Sequence, residues 1–470
     1  MKNIEKPFIQ SFEDLCRQVM QAGEAVGMAV AIVDKTGQTL YQNCFGLRDA
    51  EKKLPIDENT IFGLASVSKS ITCLSVMQLA EGGFLDILAP VRQYIPELRH
   101  PGVTCQQLMS HSAGFLPADR TTLYSNAEKL GLSQEKDGDF AFSVPLALAG
   151  RADMLETLNA MTRFTGRPGE NFSYSNHSFS VLGDIVRQFG GSTTLPAYIR
   201  DNIMTPLGMS RSGGNFLWED DNVSVLYQKQ NGNMVGTSDL ATGASSMFGS
   251  GGMRSTLADM KKYICMYLNL GKGLSGARIL SAYSAREMMK PRIASGVNEY
   301  YGYGLARESL EDVTVVRHGG AMVGVSSEMA FSLENGLGVM VLCNTSGVGV
   351  RKVAKAAMRM AMGLEPAPER AEPAPVRWSE WLSDSLCGKY FTTETGEYEI
   401  TREGDLFTLK LGGMEAKGRP INNYVVLTHV GHTDLPISAY LDEAGEVWAI
   451  NAGLRLVPKV KTSTAEKQPQ

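Results

Sequence analysis

The sequence of 470 residues lacks the features that mark membrane-spanning, secreted and nucleic-acid-binding proteins. No apolar run approaches the roughly 18 residues that a membrane-spanning helix requires. The amino-terminal stretch MKNIEKPFIQSFEDLC lacks the apolar centre of a secretory signal peptide, so we expect a cytoplasmic location and no membrane partner. No block of about five basic residues occurs, and the formal net charge is −5, so nucleic acid is not an expected partner.

Cysteine is scarce and forms no recognisable motif. The seven cysteines are scattered through the chain, and none forms a C-x-x-C pair, so neither a zinc site nor a redox motif is indicated. Most of them lie in apolar segments, which predicts buried free thiols in a reducing compartment. The G-x-S-x-G motif is also missing, which disfavours an α/β-hydrolase with its nucleophile elbow.

The sequence does have an ordinary globular composition, with 43% hydrophobic and 20% charged residues. Strand-like segments lie near both ends of residues 1–363, and helical stretches mixed with loops lie between them. We therefore predict an α/β (α+β) domain over 1–363, in which a mixed sheet combines both ends and a helical subdomain is inserted. Residues 117–150 are considered as a lid over a cleft.

A second unit is predicted where the composition changes. Residues 364–377 are rich in proline and charge and poor in large apolar side chains, as expected of a stiff linker. Short strand-like segments separated by Gly, Asn and Asp turns fill residues 378–458, which predicts a small all-β barrel or sandwich, with the barrel favoured. Residues 459–470 are expected to form a disordered tail. The barrel is expected to restrict access to a cleft or to build a homo-oligomer.

Ser66 and Lys69 form the most informative pair. They occur in the stretch FGLASVSK at the start of a predicted helix, and their S-x-x-K spacing puts both side chains on one helical face. A helix amino terminus favours a developing oxyanion, and a buried lysine can lose its proton and act as a base. The pair is typical of a serine nucleophile activated without histidine. Alone the motif is weak, because a capping serine followed by a solvated lysine is the commoner arrangement.

Two later motifs make the interpretation of the S-x-x-K motif more specific. Tyr174 and Asn176 follow a turn rich in glycine and proline; a tyrosine beside an ammonium can act as a phenolate base, and a carboxamide can hold a substrate amide. His318, Gly319 and Gly320 end a predicted strand, where two glycines would let a substrate backbone lie close. The order and context of the three motifs make a chance match improbable.

With these motifs the sequence resembles the serine β-lactamase-like superfamily, on the branch of class C β-lactamases, D,D-peptidases and type-C esterases. The stretches LMSHSAGF and SSMFGSGGMRSTLADM resemble that branch too, and the similarity covers about residues 25–365. Residues 376–457 resemble, less specifically, the lipocalin-like β domain that some members carry. The resemblance implies a β-lactamase/transpeptidase-like fold followed by that domain.

The resemblance also implies catalytic roles. Ser66 would be the nucleophile and Lys69 its proton acceptor or relay. Tyr174 would share the role of base and protonate the leaving group. The backbone N–H groups of Ser66 and Ala321 would form the oxyanion hole, which acts where negative charge develops. No metal and no organic cofactor is implied.

The remaining motif residues are implied to bind substrate. Asn176 would contact the acyl side, and His318, Gly319 and Gly320 would line the strand along which the substrate lies. Where β-lactamases carry Lys-Thr-Gly, this sequence has His-Gly-Gly. An unperturbed imidazole is mostly neutral at pH 7, so the departure predicts weak binding of a substrate carboxylate and poor β-lactamase activity.

The expected function is hydrolysis in two steps through an ester on Ser66. A peptidase or amidase that acts on small peptides, with a D-residue beside the scissile bond, is the favoured interpretation. A carboxylesterase, a lactonase or a weak β-lactamase is the enzymatic alternative. A penicillin-binding sensor or scaffold that acylates without turnover is the alternative from outside the enzymes. The substrate is expected to be a small molecule or short peptide.

Overall fold

The computed structural model describes residues 4–117, 144–214, 220–237, 248–368, 373–430 and 433–460. Most of the stretch 117–150, considered above as a lid, lies outside the described residues. The strands before the linker are β1 (Gly27–Asp34), β2 (Thr39–Asp49), β3 (Leu54–Pro55), β4 (Phe62–Gly63), β5 (Leu226–Gln230), β6 (Asn233–Thr237), β7 (Arg254–Ser255), β8 (Ile293–Gly296), β9 (Glu299–Tyr301), β10 (Ala306–Leu310), β11 (Val313–Met322), β12 (Val325–Ser332) and β13 (Leu337–Cys343).

Helices of different lengths separate these strands. They are α1 (Lys6–Ala22), α2 (Ser68–Glu81), α3 (Cys105–Met109), α4 (Val144–Asn159), α5 (Asn176–Phe189), α6 (Leu195–Ile199), α7 (Thr205–Leu207), α8 (Phe248–Gly251), α9 (Leu257–Leu268), α10 (Ala282–Met289), α11 (Val350–Ala361) and α12 (Glu380–Leu386). No helix among the described residues is long and apolar enough to cross a membrane. All seven cysteines are unpaired, and most are buried, as predicted.

The central sheet joins both ends of the first domain, as predicted. Across the described residues its order is β3-β2-β1-β13-β12-β11-β10-β9-β8, so β1 pairs directly with β13. Each neighbouring pair in this sheet is antiparallel, and β8 to β13 follow one another as a meander. Among the described residues, parallel pairing is limited to single bridges, Ile61–Val223 and Tyr227–Thr345. Parallel pairing, which we expected within the sheet, is therefore found in single bridges beside it.

Helices cover both faces of the sheet. Helix α9 packs on one face in the core that also holds α2, and α1 and α11 pack on the other face in a second core. Because both faces are covered, β1, β12 and β13 are buried along their whole length. The predicted inserted helical portion packs against α2, which places the S-x-x-K helix between the sheet and the helices.

A second β structure follows the linker region. Eight strands form an antiparallel meander whose first and last strands meet through a bridge between Tyr390 and Lys459, so the barrel is nearly closed. Lys459 and Val460, assigned above to the tail, still donate backbone hydrogen bonds to the barrel, so the barrel continues past residue 458. The strands are β14 (Gly388–Thr392), β15 (Gly396–Glu403), β16 (Leu406–Leu411), β17 (Met414–Pro420), β18 (Val425–Val430), β19 (Thr433–Leu441), β20 (Val447–Ala452) and β21 (Arg455–Pro458).

Candidate active site

Ser66 lies in a single tight turn that leads into α2. The turn is a 3-10 segment, Ala65–Val67, and Ser66 is half-buried while both neighbours are buried. The Ser68 hydroxyl fixes the turn, since it donates to the Ala65 carbonyl at 2.6 Å and accepts from the Met253 backbone N–H at 3.1 Å. Ala65 has a φ of 45°, a left-handed conformation that is strained for alanine and is common beside reactive groups.

Lys69 is completely buried, one helical turn after Ser66. Its Nζ lies 3.0 Å from Ser66 Oγ, 2.8 Å from Asn176 Oδ1 and 2.6 Å from the Ser250 carbonyl. An ammonium would donate one proton to each of these oxygens. A neutral amine would instead donate to Asn176 and Ser250 and accept the Ser66 hydroxyl proton, which is the geometry that activation of Ser66 requires.

Tyr174 is held by hydrogen bonds from three consecutive backbone N–H groups. Ser173 donates to the His111 carbonyl at 2.9 Å, and Ser175 donates to the His111 ring Nδ1 at 3.0 Å. Between them, the Tyr174 N–H donates to the carbonyl of Leu454 at 3.0 Å. His111 and the barrel therefore fix this segment together, and the barrel reaches the candidate site directly.

His111 takes a structural role beside Tyr174. Its ring lies 4.0 Å from the Tyr174 ring, centroid to centroid, inside a group of aromatic side chains. Burial, and then the positive charge of Lys69, hold the pKa of His111 well below its ordinary value. Because Nδ1 accepts from Ser175, the neutral ring carries its proton on Nε2, which has no hydrogen-bond partner among the described residues.

Two basic side chains lie close to the Tyr174 ring. Lys69 Nζ is 4.7 Å from the ring centroid, and the Arg455 guanidinium carbon is 4.5 Å from it. The sequence analysis identified Lys69 but missed Arg455. Nothing in the sequence marks Arg455, because it lies about 280 residues after Tyr174 and in a barrel strand without a motif.

Asn176 is the first residue of α5, which begins after a Ser175 side-chain cap. Its Oδ1 accepts from Lys69, while Nδ2 is buried and has no hydrogen-bond partner in the described part of the chain. An unpartnered buried amide donor costs stability unless a ligand satisfies it. Asn176 can therefore orient Lys69 with one atom and donate to a substrate oxygen with the other.

His318 is neutral and fully engaged within the protein. Its Nε2 accepts from the Tyr301 hydroxyl at 2.7 Å, and its Nδ1 donates to the Gly319 carbonyl at 2.7 Å. Burial, and then the charge of Lys69, lower its pKa to about 3. The assumption that His318 keeps the pKa of an unperturbed imidazole is therefore wrong, because His318 does not gain charge near neutral pH.

The two glycines after His318 serve internal packing. A Cβ at Gly320 would lie 2.2 Å from both the Leu64 carbonyl and the Ser327 hydroxyl, and a Cβ at Gly319 would lie 2.7 Å from a Glu328 oxygen. The turn before Ser66 and the neighbouring strand therefore fill both Cβ positions, and the course of a substrate backbone along this strand stays a prediction. Ala321, the next residue, is exposed on the same strand, and its role in an oxyanion hole stays a prediction.

A buried ionic cluster lies behind the His318 strand. The sequence analysis did not predict this cluster. Arg317 contacts the carboxylates of Glu299 at 2.5 Å, Glu308 at 3.0 Å and Glu328 at 3.1 Å. Burial alone would raise the pKa of Glu308, but Arg317 and nearby cations lower it to about 2. Burial raises the pKa of Glu328. The cluster ties β9, β10, β11 and β12 together beside the site.

The Beta-lactamase family profile matches residues 12–361, which is well over half of the chain. The chain belongs to the beta-lactamase family. This confirms the resemblance inferred from the three motifs, and the sheet and helices before the linker are the β-lactamase/transpeptidase fold.

Relatives of this beta-lactamase-family chain include two named enzymes. Esterase EstB of Burkholderia gladioli is 34% identical over 223 residues, which cover 45% of this chain and 52% of the esterase. A D-aminopeptidase of Cereibacter sphaeroides is 24% identical over 439 residues, which cover 89% of this chain and 78% of that protein. The match with the esterase thus spans about half of that relative's length.

A solved structure extends the likeness into the barrel. An octameric penicillin-binding protein homologue from Pyrococcus abyssi has a TM-score of 0.65 and 22% identity, and the match covers 96% of this chain and 99% of that one. At this identity the likeness shows the fold alone.

Within the described ranges, this beta-lactamase-family chain has no group of three or more His, Cys, Asp or Glu that could hold a metal ion.

Proposed function

We propose that this beta-lactamase-family protein is a serine hydrolase that forms an ester on Ser66 and releases the acyl group to water. The observation that carries the proposal is the position of Lys69. Its buried Nζ lies 3.0 Å from Ser66 Oγ and 2.8 Å from Asn176 Oδ1, so a base is within reach of the nucleophile. Relatives named as an esterase and a D-aminopeptidase support hydrolysis over acylation without turnover.

In the acylation step, Ser66 Oγ attacks the substrate carbonyl carbon and its proton passes to Lys69, with Tyr174 as a second acceptor. The negative oxygen that develops would be held by the backbone N–H groups of Ser66 and Ala321. The bond to the leaving group then breaks, and Tyr174 returns a proton to the departing amine or alkoxide. Asn176 Nδ2 would donate to the acyl part of the substrate.

Deacylation repeats the same steps with water. A water molecule attacks the ester carbon while Lys69 or Tyr174 takes one of its protons. The ester bond to Ser66 breaks, Ser66 Oγ regains a proton, and the acid product leaves. The serine, the lysine and the tyrosine end the cycle in their starting protonation states.

The substrate that we favour is a small peptide or amide with a D-residue next to the scissile bond. The D-aminopeptidase relative, which matches 89% of the chain, supports this choice. Neutral His318, whose two ring nitrogens are both bonded within the protein, offers no charge to a carboxylate beside the leaving group. Penicillins and cephalosporins should therefore be poor substrates.

A carboxylesterase is the second candidate. The esterase relative has the higher identity of the two, 34%, although the match covers only 45% of this chain. The same Ser66, Lys69 and Tyr174 would act on an ester, because the two reactions differ only in the leaving group. Assays on matched D- and L-aminoacyl amides and their esters separate the two candidates.

The test uses the full chain and a Ser66→Ala variant. Each is incubated with D-aminoacyl nitroanilides, D-Ala-D-Ala peptides, nitrophenyl esters and a cephalosporin, and turnover and intact mass are followed together. We expect turnover by the wild type and neither turnover nor added mass in the variant. One added acyl group per chain without turnover would instead indicate a sensor or scaffold.

We also propose that copies of the chain form a homo-oligomer. The Pyrococcus abyssi homologue with the same overall fold is described as octameric, and its match with this chain extends over the barrel region. Light scattering of the purified full chain should give a mass that is a multiple of 51.0 kDa. A mass of one chain across a range of concentrations would contradict this.

A further inference from the structure

The turn between β20 and β21 of the barrel lies directly against Tyr174. The Leu454 carbonyl accepts from the Tyr174 N–H at 3.0 Å, and the Arg455 guanidinium carbon is 4.5 Å from the centroid of the Tyr174 ring. The next residue, Leu456, donates its N–H to the Ser173 hydroxyl at 3.5 Å. Three consecutive barrel residues thus contact two consecutive residues of the candidate site.

Arg455 is fixed in this position by Glu394, in the turn between β14 and β15. Arg455 Nε and Nη2 donate to the two Glu394 carboxylate oxygens at 3.2 Å and 2.8 Å, and the side chains are only 14% and 15% exposed. This two-point contact sets the plane of the guanidinium, which a lysine would not do. Nearly buried ion pairs contribute little to stability on their own, so this pair calls for another explanation.

The turn itself adopts a strained conformation. Gly453 and Leu454 both have positive φ values, 62° and 76°, and a left-handed leucine is rare. Two-residue turns of this kind join antiparallel strands, but glycine or asparagine normally takes the second position. The conformation of Leu454 is the one that directs its carbonyl to the Tyr174 N–H. Strain of this kind is most often kept at functional sites.

We propose that Arg455, held by Glu394, is a positioning residue for Tyr174, which fixes the phenol ring and favours its ionised form as a base. This rests on the function proposed above. The face of an aromatic ring attracts a cation, and the attraction grows when the ring carries the charge of a phenolate. Glu394 offsets part of the Arg455 charge, so the ion pair sets how strongly the phenolate is favoured. The barrel then completes the base of the hydrolase.

Several titratable groups besides Arg455 face Tyr174 from other elements. They are Lys69 on α2, His111 after α3, Tyr301 on β9 and His318 on β11. Burial lowers the pKa of both histidines, and it raises that of Tyr301, so these three stay neutral around pH 7. Among the described groups that face Tyr174, the pair of Arg455 with Glu394 and, when it is protonated, Lys69 are the charged groups that can bias Tyr174 there.

The test compares two substitutions that change the charge near Tyr174 in opposite senses. Arg455→Met removes the cation and keeps the bulk, whereas Glu394→Gln leaves Arg455 with an uncompensated charge. The pH dependence of kcat/KM on a neutral nitrophenyl ester is measured for both. We expect the rising limb to move to higher pH by about one unit in Arg455→Met, and to lower pH in Glu394→Gln.

Controls separate positioning from folding and from substrate binding. Arg402→Met removes another paired barrel arginine, which contacts Glu380 and Asp384, and should leave the profile unchanged. Arg455→Lys should recover only part of the shift, because it keeps the charge without the planar contact. If Arg455→Met does not fold, Glu394→Gln still tests the sign.

Three outcomes would overturn the proposal. The first is a shift of the Arg455→Met and Glu394→Gln profiles in the same direction, as expected of simple damage to the fold. The second is no shift in either profile. The third is a higher KM of Arg455→Met only for substrates with a carboxylate, as expected of direct substrate contact. Labelling of Ser66 by a fluorophosphonate distinguishes these from failure of the proposed function. If Ser66 is labelled and turnover depends on it, only the role of Arg455 is overturned; if not, the function itself fails.

Discussion

Burial keeps two histidines near Ser66 neutral well below neutral pH. The buried residues His111 and His318 each accept or donate hydrogen bonds as neutral rings. Lys69 is buried but contacts three oxygens, which suits either a cation or a neutral base. A short sequence motif fixes which residue types are present, but the burial that sets their charge depends on the whole fold.

Labelling should identify Ser66 as the nucleophile. A fluorophosphonate should add its mass to wild type and not to Ser66→Ala, which loses only an oxygen. The nearby Ser68 and Ser70 are fully buried and donate to backbone carbonyls, so they should remain unlabelled. Peptide mapping of the labelled protein checks this. A label on Ser68 or Ser70 would contradict the assignment.

Lys69→Arg tests whether the lysine accepts a proton. A guanidinium keeps the positive charge but cannot act as a base, so acylation should slow by at least about a hundredfold, the scale of general-base contributions. The rate of acyl-enzyme formation is followed by intact mass. Because Lys69 is fully buried, arginine also adds bulk inside the protein. A Lys69→Gln variant, whose side chain is of similar length but smaller than arginine, is the control for this crowding. Near-normal acylation by Lys69→Arg would indicate a purely electrostatic role.

The neutral histidines should make the protein less stable in acid. Burial, followed by the Lys69 charge, lowers the pKa of His318 to about 3 and that of His111 well below its ordinary value. Unfolded histidine titrates near 6.5, so the unfolded state binds more protons as pH falls, and the stability present above about pH 6.5 is progressively lost below it.

We expect each histidine to reduce the free energy of unfolding by about 2 kcal/mol between pH 7 and pH 5. Urea unfolding of wild type and His318→Gln at both pH values measures this. The variant should lose less stability than wild type over that interval, because one of the two groups is gone. Equal losses in both proteins would mean that His318 is not held neutral.

At the scale of elements, periodicity and turn residues predicted the framework well. The strands of both chain ends, the helices between them and the short strands of the barrel follow from local patterns of apolar residues. The S-x-x-K spacing placed Ser66 and Lys69 together for the same reason. The role of Gly320 could not be predicted, because the Leu64 carbonyl that approaches it comes from a segment far away in sequence.

Gly320→Ala should disturb the site through the packing of β11 on the turn before Ser66. Its Cβ would lie 2.2 Å from the Leu64 carbonyl and the Ser327 hydroxyl, so the turn and the strand must separate. Overpacking of this kind costs about 1–3 kcal/mol, and displacement of the nucleophile should lower kcat more than tenfold. Thermal unfolding and ester kinetics measure the two effects.

A matched control is available in the barrel. Gly413 has no atom within 4 Å of an added Cβ and no positive φ, so Gly413→Ala should leave both stability and kcat close to wild type. If Gly320→Ala behaves like this control, the strand does not press against the turn as described.

At the scale of the whole molecule, the barrel is separate in its core but joined at the site. The hydrophobic clusters of the described residues fall on either side of the linker: two large ones draw on residues up to Met362, and the barrel cluster begins at Trp378. The sequence analysis inferred this division from composition. It could not predict the contact of Leu454 with Tyr174, because neither residue carries a pattern that refers to the other.

We propose that residues 1–363 fold without the barrel but lose most of their activity. All described members of their two cores lie before the linker, so circular dichroism should show cooperative unfolding. Without Leu454 and Arg455, the Tyr174 segment loses a backbone hydrogen bond and a cation, so kcat on a small nitrophenyl ester should fall about ten- to a hundredfold. The sequence alone led us to expect that truncation would change the preference for substrate size or the assembly state more than the activity on a small ester. A truncated protein with wild-type kcat on the small ester, and a changed preference only among larger substrates, would favour that earlier expectation and limit the barrel to controlling access.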